Sequence, residues 1–252
     1  MDLYGLSPAD WILVIVGALL IGLGKGGLPG AGNITIWIFA EVFGAKPSVG
    51  ILLPVLTCAD VVAILVYRRH ADWHHLLRLL PPTLFGVIIG WLLFDYIPAS
   101  VFSAVIGFML LIMTALHFFR LWLLQNNNDK EDKVPHNWWF VNGTGFAGGL
   151  ATMLANAAGP VASFYLMAVK LPKFAFIGTS AWFFFIVNLF KMPFQAFSGN
   201  VSFSTLKLSL TLGMIAALGA FIAPKIVQFI PQKWFSRAVW ALIIFAGFRL
   251  IF

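Results

Sequence analysis

The stretch Gly22-Leu-Gly-Lys-Gly-Gly-Leu-Pro-Gly-Ala-Gly-Asn33 follows directly on an apolar run that begins at Trp11. The apolar run predicts a helix in hydrocarbon. Irregular backbone at membrane depth is tolerated only where protein buries it or where it lines a watery cavity. Glycines let a ligand approach the main chain, Pro29 ends a helix, and N–H groups at a helix start attract anions. The stretch therefore predicts a broken helix at an anion-binding site, to which Lys25 adds positive charge.

The spacing Gly22-x-Gly24-x-x-Gly27 also fits the formal pattern of a dinucleotide-binding turn. That pattern needs a preceding strand, a following helix and an acidic residue about twenty positions further on. The residue at that distance is Glu41, which lies inside another apolar segment. We therefore reject the nucleotide interpretation and expect no cofactor.

The composition is that of a polytopic membrane protein. The chain is 61% hydrophobic and 10% charged, with a mean hydropathy of +0.94, whereas a soluble domain carries roughly a quarter charged residues. Residues 1–10 include no basic residue and no small-residue cleavage site, so we do not expect a signal peptide. The single cysteine, Cys58, cannot form an internal disulfide, and its apolar setting argues against a metal or redox role.

Apolar segments alternate with polar loops along the whole chain. If the N-terminus is outside, most of the 16 basic residues fall on the inner loops, as the positive-inside rule requires. The net charge of +7 then needs no nucleic-acid partner. Segments 34–44 and 160–169 are well below the roughly 20 residues of a spanning helix. Each could form a re-entrant hairpin with the segment before it, or each pair could cross twice by tilting. We favour short broken or re-entrant helices near the midplane. The predicted segments are 11–24, 34–44, 49–67, 76–94, 99–124, 138–155, 160–169, 174–197, 206–229 and 235–252.

An internal repeat relates the two halves at an offset of about 128 residues. Gly50 matches Gly178, Asp60 matches Asn188, and each half carries about five hydrophobic segments. An odd number makes the second half enter the membrane from the opposite side, which is the inverted-repeat plan of secondary transporters. The predicted fold is therefore an all-α polytopic membrane protein of two inverted repeats, 1–124 and 137–252, joined by a cytoplasmic linker at 125–136.

The loop between residues 67 and 76 is the one place where a metal deserves consideration. His70 and His74 have helical ligand spacing, with Asp72 between them. No cysteine or obvious fourth ligand accompanies them, so a solvated cytoplasmic loop is the preferred interpretation and no metal is expected. Tyr67 and Trp73 suit the headgroup level at its edges. An intramembrane enzyme is disfavoured because the histidines lie at or near loops and segment ends.

Several motifs resemble the sulfite exporter family of TauE/SafE type, also called the toluene sulfonate uptake permeases. The resemblance is carried by Asn156-Ala-Ala-Gly-Pro160, Leu171-Pro-Lys173, the run from Phe176 to Asn188, and Lys191-Met-Pro-Phe194, together with the glycine-rich turn and Gly50 of the first half. It implies a transporter of sulfur-containing anions such as sulfite or organosulfonates. Asp60 departs from the family pattern, which commonly has a small or apolar residue at that place.

Candidate site residues follow from the two breaks and from polar groups inside apolar segments. Lys25 and Lys191 would offset the charge of an anion, while side-chain amides and glycine N–H groups would bind its oxygens. Asn188 and Gln195 each lie one helical turn from Lys191, where interhelical hydrogen bonding is the alternative role. Asp60 is assigned proton coupling, with a structural ion pair to Lys25 or Lys191 as the alternative. The substrate-binding set is Lys25, Gly26, Gly27, Gly30, Gly32, Asn33, Asn156, Gly159, Asn188, Lys191 and Gln195.

These observations predict a secondary transporter in the cytoplasmic (inner) membrane that moves a small anion by alternating access. A passive anion channel, or a carrier of a non-sulfur organic anion, is the alternative at this stage. The expected partners are the anion, the lipid bilayer and, through Asp60, protons. A homodimer is compatible with this plan.

Overall fold

A computed structural model describes residues 5–28, 31–98, 138–169 and 171–227, together with scattered positions between 101 and 119 and at 244 and 248. These residues form helices and no strand. A 3₁₀ turn at Arg68–His70 follows the third helix. The helices are α1 (Pro8–Lys25), α2 (Asn33–Phe43), α3 (Ala45–Tyr67), α4 (Trp73–Phe94), α5 (Trp138–Ala155), α6 (Ala158–Ala168), α7 (Lys173–Phe197) and α8 (Phe203–Val227).

The predicted segments are confirmed as helices wherever the structure describes them. Local signals set their ends: Ser7 and Asp10 form a reciprocal capping box at the start of α1, and Asp72 caps α4 by accepting from the His75 N–H. In the part of the chain that the structure describes, five helices are long and apolar enough to cross a membrane, in the ranges Pro8–Lys25, Ala45–His70, Trp73–Phe94, Phe174–Phe197 and Phe203–Lys225. The predicted linker and the last predicted segment lie outside the described residues, apart from positions 244 and 248.

The short helices α2 and α6 each contain 11 residues, which gives a length of about 16 Å at 1.5 Å per residue. A hydrocarbon core of about 30 Å is nearly twice that length. The prediction of short helices that cannot span alone is therefore confirmed.

Helices α1 and α2 form a hairpin whose tip is the glycine-rich stretch. Gly32 lies close to Gly24, while Thr35, three residues further along α2, donates a 3.2 Å hydrogen bond to the Gly17 carbonyl. Helix α2 therefore runs antiparallel to α1. We call this pair the first hairpin and its described residues 26–28 and 31–32 the first tip.

Helices α5 and α6 form a second hairpin. Val161 packs over Gly148, and Tyr165, one turn further along α6, stacks on Phe140 near the start of α5 with ring centroids 6.1 Å apart. The chain reverses at Asn156, the only described non-glycine residue with a positive φ, at 53°. Asparagine tolerates this left-handed conformation better than most residues. Residues 156–157 are the tip of the second hairpin.

Each hairpin packs against a long helix of the other half of the chain. Helix α1 lies against α8, and α5 lies against α4. Glycines allow both contacts: Gly22 meets Gly219 in the first, and Gly149 meets Gly86 in the second. A Cβ on any of these four glycines would run into the backbone of the facing helix. Helices α3 and α7 pack against each other. Each of them contacts both hairpin tips.

Candidate functional site

Asp60 forms the centre of the candidate site. Its side chain is 0% exposed in the interior of α3, and its Oδ1 lies 2.7 Å from Nζ of Lys25, the last residue of α1. The lysine side chain keeps 15% of its surface exposed. A carboxylate buried this deeply is tolerated when it is paired and hydrogen-bonded. The alternative structural pair considered for Asp60 is therefore present, with Lys25 as its partner.

Phe184 of α7 provides a second contact for Lys25. The lysine Nζ lies 3.9 Å from the centre of the Phe184 ring. A cation over an aromatic face gains electrostatic stabilisation, and this gain increases when water is excluded. Lys25 is thus held between a carboxylate on α3 and an aromatic ring on α7.

Asn188 of α7 binds the other oxygen of the carboxylate. Its Nδ2 donates a 2.7 Å hydrogen bond to Asp60 Oδ2, and its side chain is 2% exposed. The two carboxylate oxygens therefore have different partners, a cation on one side and a neutral amide on the other. This bond also connects α3 to α7, in the C-terminal half of each helix.

Lys191 lies one turn beyond Asn188 and is 0% exposed. Its Nζ donates to Thr152 Oγ1 at 3.1 Å and to Asn156 Oδ1 at 2.6 Å. Among the residues that the structure describes, no carboxylate oxygen lies within 4.0 Å of this ammonium group. Lys191 is thus a buried cation with neutral hydrogen-bond partners.

Asn156 fixes the tip of the second hairpin to both central helices. Its Oδ1 accepts from Lys191 on α7, while its Nδ2 donates a 2.9 Å hydrogen bond to the Val49 carbonyl of α3. The same residue provides the left-handed turn that reverses the chain. Its backbone and side chain therefore act together to place the tip beside Lys191.

The tip of the first hairpin is fixed in a comparable way at the other end of the site. The Tyr67 hydroxyl of α3 donates a 3.1 Å hydrogen bond to the Gly26 carbonyl, and Gly27, with φ at 124°, lies beside Tyr67 and Ile177 of α7. Tyr67 is 8% exposed. The tip of the hairpin therefore covers its hydroxyl, and its place at the headgroup level stays a prediction.

Two groups of contacting polar side chains, separated by one turn of α7, lie between the two tips. Lys25 at the first tip contacts Asp60, which contacts Asn188; one helical turn further on, Lys191 contacts Asn156 at the second tip. We call these five residues the polar chain. Its formal charge is +1, since Asp60 balances one of the two lysines.

Other predicted site residues lie outside the polar chain. Gln195 is 0% exposed, but its Oε1 accepts from Asn200 at 2.8 Å and its Nε2 faces Met153 Sδ, so it holds the loop between α7 and α8. Gly32 and Gly159 lie at the starts of α2 and α6. Gly30 and the side chain of Asn33 lie outside the described part of the chain.

Two contacting residues were not predicted from the sequence, Phe184 and Thr152. Each stands four positions before a predicted asparagine: Phe184 shares a face of α7 with Asn188, and Thr152 lies in the last turn of α5, where its carbonyl accepts from the Asn156 N–H. That spacing could have identified both residues. Among the described residues, no group of three or more His, Cys, Asp or Glu side chains is placed to hold a metal ion.

The fold and this site define a class: an α-helical membrane protein that buries ionisable side chains between its spans, as transporters do. The sulfite exporter TauE/SafE family matches residues 12–250, nearly the whole chain. The chain therefore belongs to the TauE/SafE sulfite exporter family, whose members are membrane transporters of sulfite or related anions and not enzymes. No curated protein and no solved structure gives a significant match to it.

Proposed function

We propose that the protein is a secondary transporter that moves a small anion, sulfite or an organosulfonate, across the cytoplasmic membrane by alternating access. The anion binds beside Lys191, at the junction of α7 and the second tip. Lys25 and Asp60 complete the charge balance of the site. The glycine-rich first tip closes the site at its other end.

The observation that carries this proposal is the environment of Lys191. An ammonium group that is fully buried, with only neutral contacts among the described residues, is costly in a protein interior. An anion at this position would supply the missing negative charge. The hydroxyl of Thr152 and the amide of Asn156 lie beside the ammonium and would bind further oxygens of the same anion.

Alternating access is supported by the equivalence of the two halves. The contact of Gly22 with Gly219 has its counterpart in the contact of Gly149 with Gly86. Residues 1–124 and 137–252 are thus proposed as inverted repeats, with 125–136 as the cytoplasmic linker. Movement of one tip at a time would then open the site to one side of the membrane.

Asp60 is the proposed site of proton coupling. It contacts Lys25, which is the residue closest to the broken backbone of the first tip. If the first tip moves, Asp60 loses its cation and is left with the neutral amide of Asn188. A buried carboxylate without a cation favours its protonated form. Opening and closing of the first tip would thereby take up and release one proton.

A counterflow experiment tests the proposed function. Purified protein is reconstituted in liposomes loaded with unlabelled sulfite, and uptake of labelled sulfite is followed against empty liposomes. We expect saturable uptake that the internal anion stimulates, because a carrier must return its site across the membrane. Uptake that follows the membrane potential without saturation or stimulation would identify a passive channel and contradict the proposal.

A further inference from the structure

We propose that Asp60 sets the valence of the transported anion, acting as an internal counter-anion that leaves the site one positive charge for its substrate. This inference rests on the proposed function and assigns its substrate class: a small oxyanion with a single negative charge. The relevant residues are Lys25, Asp60 and Lys191, which lie along one path at the interface of α3 and α7.

Lys25 and Lys191 differ in how available their charges are to a substrate. Lys25 already contacts a carboxylate at 2.7 Å and an aromatic ring at 3.9 Å. Lys191 contacts a hydroxyl and an amide oxygen, and both of these are neutral. A substrate anion therefore gains most beside Lys191, whose charge has no close counter-charge among the described residues.

The charge balance of the occupied site favours a substrate with one negative charge. Two lysines and one carboxylate have a formal charge of +1, so a monoanion makes the buried set neutral. A dianion would leave one uncompensated negative charge among side chains that are almost fully buried. Uncompensated charge in a low-dielectric interior is far more costly than in water. Asp60, while it is ionised and paired with Lys25, thereby discriminates against dianions of the same shape.

Methanesulfonate and sulfate are suitable probes for this discrimination. Both are small tetrahedral sulfur oxyanions, and at neutral pH the first carries one negative charge and the second carries two. Binding of each is measured by titration of the purified protein, with an Asp60→Asn variant and an Asp60→Glu control. Asparagine keeps the size of the side chain and removes its charge, whereas glutamate keeps the charge.

We expect the parent protein and Asp60→Glu to favour methanesulfonate. The Asp60→Asn variant, with a formal site charge of +2, should shift the ratio of the two affinities toward sulfate by at least about tenfold. An unchanged ratio in this variant would overturn the inference, although the protein could still be an anion transporter. Absence of binding of sulfite and of both probes to the parent protein would instead contradict the proposed function itself.

A pair of Lys25 variants keeps the inference testable if Asp60→Asn does not fold. Lys25→Gln alone leaves Asp60 opposite Lys191 with no net charge and should weaken methanesulfonate binding at least about tenfold. The double variant Lys25→Gln, Asp60→Asn restores a formal charge of +1 and should restore that binding. Failure of the double variant to bind, despite an intact melting transition, would show that Lys25 itself holds the anion and would overturn the inference.

Discussion

Asn188 and Asp60 are joined by a 2.7 Å hydrogen bond across 128 residues of sequence. That interval equals the offset at which the two halves of the chain match, so the bond joins equivalent positions of the proposed repeats. The two side chains have nearly the same shape, but one is charged and the other is neutral. The two matched positions therefore resemble each other in side-chain shape and differ in charge.

Replacement of Asn188 by alanine should destabilise the protein. The substitution removes the donor to Asp60 Oδ2 and leaves a buried acceptor without that partner, at a cost of about 1–3 kcal/mol. The measurement is the thermal unfolding transition in detergent. Asn142→Ala is the control, because Asn142 is partly exposed and bonds only to the Trp138 carbonyl within its own helix. Equal effects of the two substitutions would contradict the central role of the bond.

Replacement of Lys191 by glutamine should weaken sulfite binding at least about tenfold, since its charge acts in a site with little screening. Lys46→Gln is the matched control. Lys46 lies 3.9 Å from Asp95, whose side chain is 70% exposed, and salt screens such a pair. Titration of both variants with sulfite measures the difference. If the two variants bind equally well, Lys191 is not the anion anchor.

Asn156→Asp should remove anion binding without unfolding the protein. Aspartate tolerates the left-handed conformation at this position nearly as well as asparagine. The new carboxylate would replace the amide oxygen Oδ1, which now lies 2.6 Å from Lys191 Nζ. It would pair with the lysine and neutralise the positive charge that attracts the substrate. We expect at least about a tenfold loss of sulfite affinity. Retained affinity in a folded variant would place the anion elsewhere.

Alanine at Gly22 or at Gly149 should destabilise the protein to a similar extent. At each position a Cβ would run into the backbone of the facing helix, α8 or α4, and overpacking of this kind costs about 1–3 kcal/mol. Gly143→Ala is the control, because a Cβ there meets no atom within 4 Å. Thermal unfolding of the three variants measures the costs. A neutral effect at one position and a large effect at the other would argue against equivalent packing in the two halves.

The helices and the broken positions could be predicted from the sequence, because apolar length and glycine content are local properties. The predicted segment 138–155 has the same limits as α5, and α1 ends at Lys25, inside the glycine-rich stretch that begins at Gly22. The grouping of Asn188 with Lys191 also followed from spacing along one helix.

The partners of the charged residues could not be predicted in the same way. Helical spacing tells which side chains share a face, but not which helix lies opposite that face. The sequence thus left Lys25 and Lys191 as equal partners for Asp60, and only the packing of α1 against α3 decides for Lys25. For the same reason the sequence could place Gln195 one turn from Lys191, but it could not show the contacts of Gln195 with Asn200 of the following loop and with Met153 of α5.

The most direct test of the account is proton-driven accumulation by the Asp60→Asn variant. Labelled sulfite uptake is measured in proteoliposomes with an imposed pH gradient, and counterflow is measured in the same preparation without a gradient. The account predicts that the variant retains counterflow and loses accumulation, because asparagine keeps the shape of the side chain but cannot carry a proton. Accumulation equal to that of the parent protein would contradict proton coupling through Asp60. Loss of both activities in a folded variant would indicate that the Asp60–Lys25 ion pair has a structural role and does not carry the proton.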